Sequence, residues 1–409
     1  MKILHTCELY SPSVGGIQEV VRQVSERLVA RGHEVTVATT RLPGRTWTSL
    51  GGVRVEQFDI SGNAVIGLRG EVERYQRFLL DGDHDVMMNY AAQQWTADLA
   101  FPLLGRLRAR SVFVTCGFSA LYDPAFRDYF ARMPAVLDRY DGIVLHAERY
   151  RDADFVRAHT RTPATLITYG AALEEFAAEH DRSLRRRFGV PESVPFLITI
   201  GTHTALKGHG NVMRAFLRAR TGPAVLAVIG NPWVPGCEKR CRRLARLGNA
   251  LGLGRKRILM LDLPRADVVA ALRSADLFVF ASLIECSPIV LFETAAAGTP
   301  FITGPAGNAP EIAAWTGAGV VVAGSQRADG ITRTDNAALT RAIERLVHDP
   351  AERERLGAAG RRAFLERLNW DRVTEQYEAL YQQVLAAPPR HASGAAPEGH
   401  NVPAPGGPR

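Results

Sequence analysis

Short runs of β-branched and aliphatic residues alternate along this chain with longer segments whose apolar positions recur every three or four residues. The runs fit buried strands and the longer segments fit amphipathic helices, an alternation that predicts βαβ units and parallel sheets. In the first half, strands are expected near Lys2 to Thr6, Glu34 to Thr39, Val53 to Phe58, Asp85 to Asn89, Ser111 to Thr115, Gly142 to His146 and Thr165 to Thr168. In the second they are expected near Phe196 to Gly201, Ala224 to Gly230, Arg257 to Leu261, Leu277 to Ala281, Pro300 to Thr303 and Gly319 to Val322. A polar stretch from Glu174 to Arg187, with Arg185, Arg186 and Arg187 in series, separates the two sets and predicts a domain boundary. The economical reading is an α/β protein of two doubly wound domains, residues 1–178 and 179–369, facing each other across a deep cleft. Such sheets bind ligands beyond the carboxyl ends of their strands, so the site is expected in the loops that follow strands.

Beyond Asp349 the pattern is helical. A helix from Glu366 to Leu385 would carry Trp370 and place Tyr377, Leu380, Tyr381 and Leu385 on one face, and the segment 370–387 is expected to pack back on the first domain. From Pro388 proline, glycine and alanine dominate without periodicity, so 388–409 reads as a disordered tail.

Composition narrows the function classes. The chain has 409 residues, 46% hydrophobic and 22% charged, which excludes fibrous, wholly disordered and disulfide-scaffold proteins. Its net charge of +8 is spread without a basic tract interleaved with aromatics, so no nucleic-acid partner is expected. A weak attraction to an anionic membrane surface or a phosphorylated ligand suits that balance better. Of the 50 basic residues only Lys2, Lys207, Lys239 and Lys256 are lysines. The five cysteines are odd in number and lack paired C-x2-C units, which points to reduced thiols, no metal site and a cytoplasmic protein. No signal-like start or apolar run of about 18 residues is seen. Peripheral attachment to the inner membrane face is left open; basic segments such as Arg106 to Arg110 read as solvated faces.

Three loops carry candidate chemistry. Ser13-Val14-Gly15-Gly16 lies between the opening strand and a helix, where paired glycines fit either a tight turn or an anion held by backbone amides. Gly201-Thr202-His203-Thr204-Ala205-Leu206-Lys207-Gly208-His209 leaves the first strand of the second half. It carries a rare lysine, whose compact ammonium suits a phosphate oxygen. In Glu285-Cys286-Ser287-Pro288-Ile289-Val290-Leu291-Phe292-Glu293, Ser287 reads as an N-cap and Pro288 as the first helical residue, which aims free amides into the cleft. Glu293 sits in an apolar helix and needs a partner, either the vicinal hydroxyls of a ribose or a buried arginine. Cys237 and Cys241 share a helix face and read as core thiols.

Together these segments resemble the family-4 glycosyltransferases of the GT-B fold. The resemblance runs through Pro12 and Gly15-Gly16, Gly32-His33-Glu34-Val35-Thr36-Val37, Lys207-Gly208-His209, Ala275-Asp276-Leu277, the Glu-x7-Glu motif from Glu285 to Glu293, Ala297-Gly298-Thr299-Pro300, and Gly307-Asn308 with Glu311. It implies retaining transfer of a sugar from a UDP- or GDP-linked donor to a glycan or lipid-linked acceptor in cell-surface glycoconjugate assembly, without cofactor or metal. By the same resemblance Lys207 would hold the diphosphate, Glu285 face the donor sugar and Glu293 hold the ribose. Ser287, Pro288 and Ile289 would surround donor oxygens, Gly15 and Gly16 would close from the first domain, Thr202 and His203 would flank the phosphates, and Leu263 would meet the base. Two positions depart from the family pattern: Cys116-Gly117 stands where an acceptor-side histidine is usual, and Thr202 where an arginine is usual. They keep two alternatives in play, a catalytically silent nucleotide-sugar-binding subunit and a sugar-nucleotide epimerase.

Overall fold

The computed structural model describes residues 1–177, 183–232, 234, 236–252 and 255–390. The expected boundary at 178/179 and the tail from 391 onward lie outside the described residues. The first sheet contains β1 (Lys2–Thr6), β2 (Glu34–Thr40), β3 (Ser49–Leu50), β4 (Val53–Phe58), β7 (Val86–Tyr90), β8 (Arg110–Val114), β9 (Gly142–Leu145) and β10 (Ala164–Leu166), in the order β10-β9-β8-β7-β1-β2-β4-β3. It is parallel except for β3, and a hairpin of β5 (Ile60–Asn63) and β6 (Gly67–Gly70) lies apart. The second sheet is wholly parallel, in the order β13-β12-β11-β14-β15-β16, from β11 (Phe196–Ile200), β12 (Ala224–Ile229), β13 (Lys256–Leu261), β14 (Leu277–Phe280), β15 (Phe301–Thr303) and β16 (Gly319–Val321). A second hairpin joins β17 (Gly324–Gln326) to β18 (Thr332–Thr334).

The strands expected from the sequence are present, with ends shifted by at most two residues. Central strands read as unbroken apolar runs because helices cover both faces: every residue of β7 and of β12 is buried. The hairpins and β3 were not foreseen, their strands being two to four residues long with little apolar content. Among the parallel strands of each sheet the order reverses once, between β1 and β7 in the first and between β11 and β14 in the second. At such a reversal the loops diverge and leave a crevice at the carboxyl edge.

Two details of the connecting segments emerge from the structure. Within the polar boundary stretch Arg185 is buried, pairs with Asp276 at 3.0 Å and donates to the carbonyls of Val194 and Ser274. The C-terminal helix does not start at Glu366. One helix ends there (Pro350–Glu366), and another (Trp370–Ala386) begins after Asn369, whose side chain accepts from the Arg372 amide at 3.1 Å. This last helix buries Trp370, Val373, Tyr377, Leu380 and Tyr381, and Tyr381 Oη lies 2.8 Å from His5 Nε2 in β1. The two halves touch where the chain crosses, with Ala171 N donating to Leu368 O and Trp370 N to Ala171 O, each at 3.1 Å. No helix among the described residues is long and apolar enough to cross a membrane.

Candidate active site

Lys207 and Glu285 meet at the reversal of the second sheet. Lys207 closes a 3-10 turn (Ala205–Lys207) after β11, and Glu285 lies in the loop after the neighbouring β14. Lys207 Nζ donates to Glu285 Oε1 at 2.6 Å, and Ser282 Oγ donates to the same oxygen at 2.7 Å. The loops are also tied backbone to backbone, since Leu283 N donates to Leu206 O at 2.7 Å. The lysine stem lies over Gly201, where a Cβ would be 3.4 Å from Lys207 Cγ.

The turn depends on Gly208. It sits at φ 69°, where a Cβ would fall 1.8 Å from Ala281 O. Gly208→Ala adds a left-handed penalty of about 1–2 kcal/mol to a backbone clash. The variant is expected to lose more than about 2 kcal/mol of stability, read as a lower urea midpoint.

A cavity of about 480 Å³ is lined by Gly15, Gly16 and Arg22 from the first half and by Arg265, Ile289 and Glu293 from the second; neither Lys207 nor Glu285 lines it. Ile200, the last residue of β11, also lines it, next to the Gly201 that Lys207 covers. Gly16 faces Ile289 closely enough that a Cβ on it would be 3.9 Å from Ile289 Cδ1. The helix Ile289–Ala296 therefore points its amino end across the cleft. Among the described residues no side chain caps it. Its cap residue is Pro288, which corrects the expected Ser287 cap: Ser287 is buried and its Oγ accepts from Asn308 Nδ2 at 3.2 Å.

Glu293 has the arginine partner. Arg265 Nη2 is 2.5 Å from Glu293 Oε1 and 2.5 Å from Glu175 Oε2. Burial, together with the nearby Glu175 and Glu19, pushes the Glu293 carboxyl above the usual range despite Arg265. Burial opposes the Arg265 charge, yet Glu293 and Glu175 raise its pKa further still. Across the cavity Arg22 bridges Glu19 at 2.7 Å and Glu26 at 2.9 Å. Arg22, Glu19, Arg265 and Glu175 were missed from the sequence. The readable signal was a charged residue in the first turn of a helix that follows a strand, as with Glu19 and Arg265.

The other expected residues divide. Cys116 and Gly117 follow β8, and a Cβ on Gly117 would lie 2.7 Å from Cys286 Cβ, so this loop abuts the Glu285 loop across the cleft. Burial pushes both the Cys116 and Cys286 thiols far up, which keeps them protonated. The loop is strained: Cys116, Gly117 and Phe118 have φ of 51°, 88° and 43°, and Ala91 and Gln93 after the adjacent β7 have 65° and 66°. Asp152 holds it by accepting from Gly117 N at 2.8 Å and from Thr115 Oγ1. Thr202 is half-buried and Leu263 packs against the core; neither lines the cavity. His203 is turned away from it, 1% exposed, against His209. Asn308 and Glu311 serve as a clamp between the halves. Asn308 Nδ2 donates to His146 O at 2.6 Å, and the Glu311 carboxylate accepts from the amides of Glu148 and Arg149 at 2.7 and 2.8 Å.

This architecture has known counterparts. The chain matches the glycosyl transferase 4-like domain over residues 15–187 and the glycosyl transferases group 1 domain over residues 181–363. It is 26% identical to the GDP-mannose-dependent alpha-(1-6)-phosphatidylinositol monomannoside mannosyltransferase of Mycolicibacterium smegmatis, covering 88% of this chain and 93% of the relative. It is 24% identical to the D-inositol 3-phosphate glycosyltransferase of Thermobifida fusca, covering 93% and 92%. Among solved structures, sucrose-phosphate synthase from Thermosynechococcus elongatus superposes with a TM-score of 0.76 at 20% identity, covering 94% of this chain and 99% of that one. Anabaena HepE in complex with UDP and glucose superposes with a TM-score of 0.73 at 15% identity, covering 94% and 100%. With a 4-like domain in its first half, a group 1 domain in its second and the two-sheet GT-B fold throughout, the chain belongs to the family-4 glycosyltransferases.

Proposed function

We propose that this glycosyltransferase moves a hexosyl group from a UDP- or GDP-linked sugar to a hydroxyl of a glycan or lipid-linked acceptor, with retention at the anomeric carbon, in cell-surface polysaccharide or glycoconjugate assembly. The observation that carries the reading is the Lys207–Glu285 contact of 2.6 Å at the strand reversal, beside a helix amino end left open toward the cleft. Leaving-group charge needs preorganised positive partners, and an ammonium with helix amides supplies them at the reacting centre without a metal ion. In the transfer the bond from the anomeric carbon to the diphosphate oxygen breaks and its electron pair leaves with the diphosphate. The acceptor oxygen bonds the same face, and its proton passes to the departing phosphate oxygen. Lys207 meets the diphosphate charge, Glu285 orients the sugar, and Glu293, steadied by Arg265, takes the ribose hydroxyls. The mannosyltransferase relative, named for GDP-mannose and a phosphatidylinositol mannoside, supports such a donor and a lipid-linked acceptor, and the HepE complex with UDP and glucose supports a nucleotide-linked donor.

The test is release of nucleoside diphosphate from a panel of UDP- and GDP-sugars, with and without glycan and lipid-linked acceptors. Turnover that depends on an acceptor, with the anomeric configuration kept, is expected. Donor binding without turnover under all these conditions would identify a silent binding subunit, and donor isomerisation without acceptor an epimerase.

A further inference from the structure

Behind the Lys207 loop lies a group of side chains that the transfer does not use. A ring nitrogen of His203 and the Sγ atoms of Cys237 and Cys241 lie within 4.8 Å of one another. The two cysteines stand one turn apart on the helix Cys237–Leu251 and are not joined in a disulfide. His203 is 1% exposed, and its Nδ1 is buried with no hydrogen-bond partner among the described residues. A ring nitrogen buried in this way costs free energy unless something occupies its lone pair or takes its proton.

We propose that His203, Cys237 and Cys241 bind one zinc ion. One imidazole and two thiolates are soft and borderline donors of the kind zinc prefers, and no carboxylate is in the group to favour magnesium or calcium. Around tetrahedral zinc such atoms stand about 3.5–3.8 Å apart, so the group has to close by about one ångström. Two thiolates balance the charge of the dication, so the filled site adds no net charge among Arg214, Arg240 and Arg242. A cavity of about 410 Å³, lined in part by Cys237, Cys241 and Arg214, gives the ion its entry and leaves the fourth position to water.

The backbone ties this group to the reacting loop. His203 N donates to Asn231 O at 2.9 Å, Val234 N to His203 O at 3.3 Å and Cys237 N to Val234 O at 3.3 Å. The ion joins the loop that leads to Lys207 to the first turns of the helix behind it. It is a structural clip, and its presence does not depend on which sugar is transferred.

The full chain, purified under reductant, is titrated with Zn2+ against a chromophoric chelator and, separately, with Co2+. One equivalent of zinc per chain is expected. Cobalt should give a sulfur-to-metal charge-transfer band and the visible bands of a tetrahedral ion. Both signals should disappear in the Cys237→Ser/Cys241→Ser double variant, and the zinc-dependent rise in melting temperature with them. Cys237 is only half-buried, so Cys237→Ser alone is the control for folding: its metal-free melt should match the parent while its zinc affinity falls by at least about tenfold. The assignment is overturned if zinc is not retained, if the double variant retains it equally, if Cu+ but not Zn2+ is held, or if the two thiols are found oxidised to a disulfide in the active chain.

Discussion

Lys207→Ala is expected to lower kcat/KM for the donor by about 10²–10³-fold, the usual cost of removing one preorganised charge partner from a developing anion. Most of the loss should fall on kcat, because the ammonium gains most when charge accumulates on the departing diphosphate. Lys207→Arg should restore little. The stem is packed over Gly201, and the neighbouring Gly208 lies against the Ala281 carbonyl, so a planar guanidinium lacks the room that a point charge has. Glu285→Gln separates the two partners: it frees Lys207 from its 2.6 Å contact, so donor affinity should hold or rise while turnover falls. Steady-state kinetics with donor binding by calorimetry would read both. If Lys207→Ala leaves both donor affinity and kcat unchanged, the diphosphate lies elsewhere.

Acid is expected to destabilise the protein well above the range where carboxylates titrate. Burial lowers His5 to about 3, and lowers His146 and His209 to about 4. In the unfolded chain these imidazoles take up protons near 6.5. Between 6.5 and the folded values the unfolded state binds more protons, so their stabilisation is complete above about pH 7 and is lost as pH falls through 6.5 toward 4. Each group costs about 1.4 kcal/mol per pH unit in that window, so the three together remove roughly 4 kcal/mol between pH 7.5 and 5.5. Buried carboxyls such as Glu293, Glu8 and Asp98, which are shifted up, work in the opposite sense and blunt the total. His5→Gln isolates one histidine. His5 is wholly buried between Ser25 Oγ and Tyr381 Oη, both at 2.8 Å, and the variant should flatten the pH dependence of the urea midpoint by about a third. A midpoint that does not move between pH 7.5 and 5.5 would overturn this.

The sheets were legible because a strand covered on both faces needs an unbroken apolar run, and such runs stand out whatever surrounds them. The Lys207 and Glu285 loops were legible for a related reason: a site at the carboxyl edge of a parallel sheet must lie in the residues just after a strand. The hairpins left no such trace, since β6 and β17 are largely exposed and β5 buries only Ile60. The start of the last helix was misplaced because helical propensity alone does not reveal the break that Asn369 makes.

The sequence by itself determined the α/β layering, the two parallel sheets and the loops from which a lysine and two glutamates present themselves, because each is written in neighbouring residues through strand and helix periodicity. Only the tertiary structure decided which of them meet. It joined Lys207 to Glu285 across adjacent strands, gave Glu293 to Arg265 rather than leaving it free, and turned His203 from the cleft toward Cys237 and Cys241. These pairings join residues far apart in the chain, and local periodicity carries no information about such distances. They follow from strand order and from the need of each buried charge or ring nitrogen for a partner, which is met only once the sheets and helices have packed.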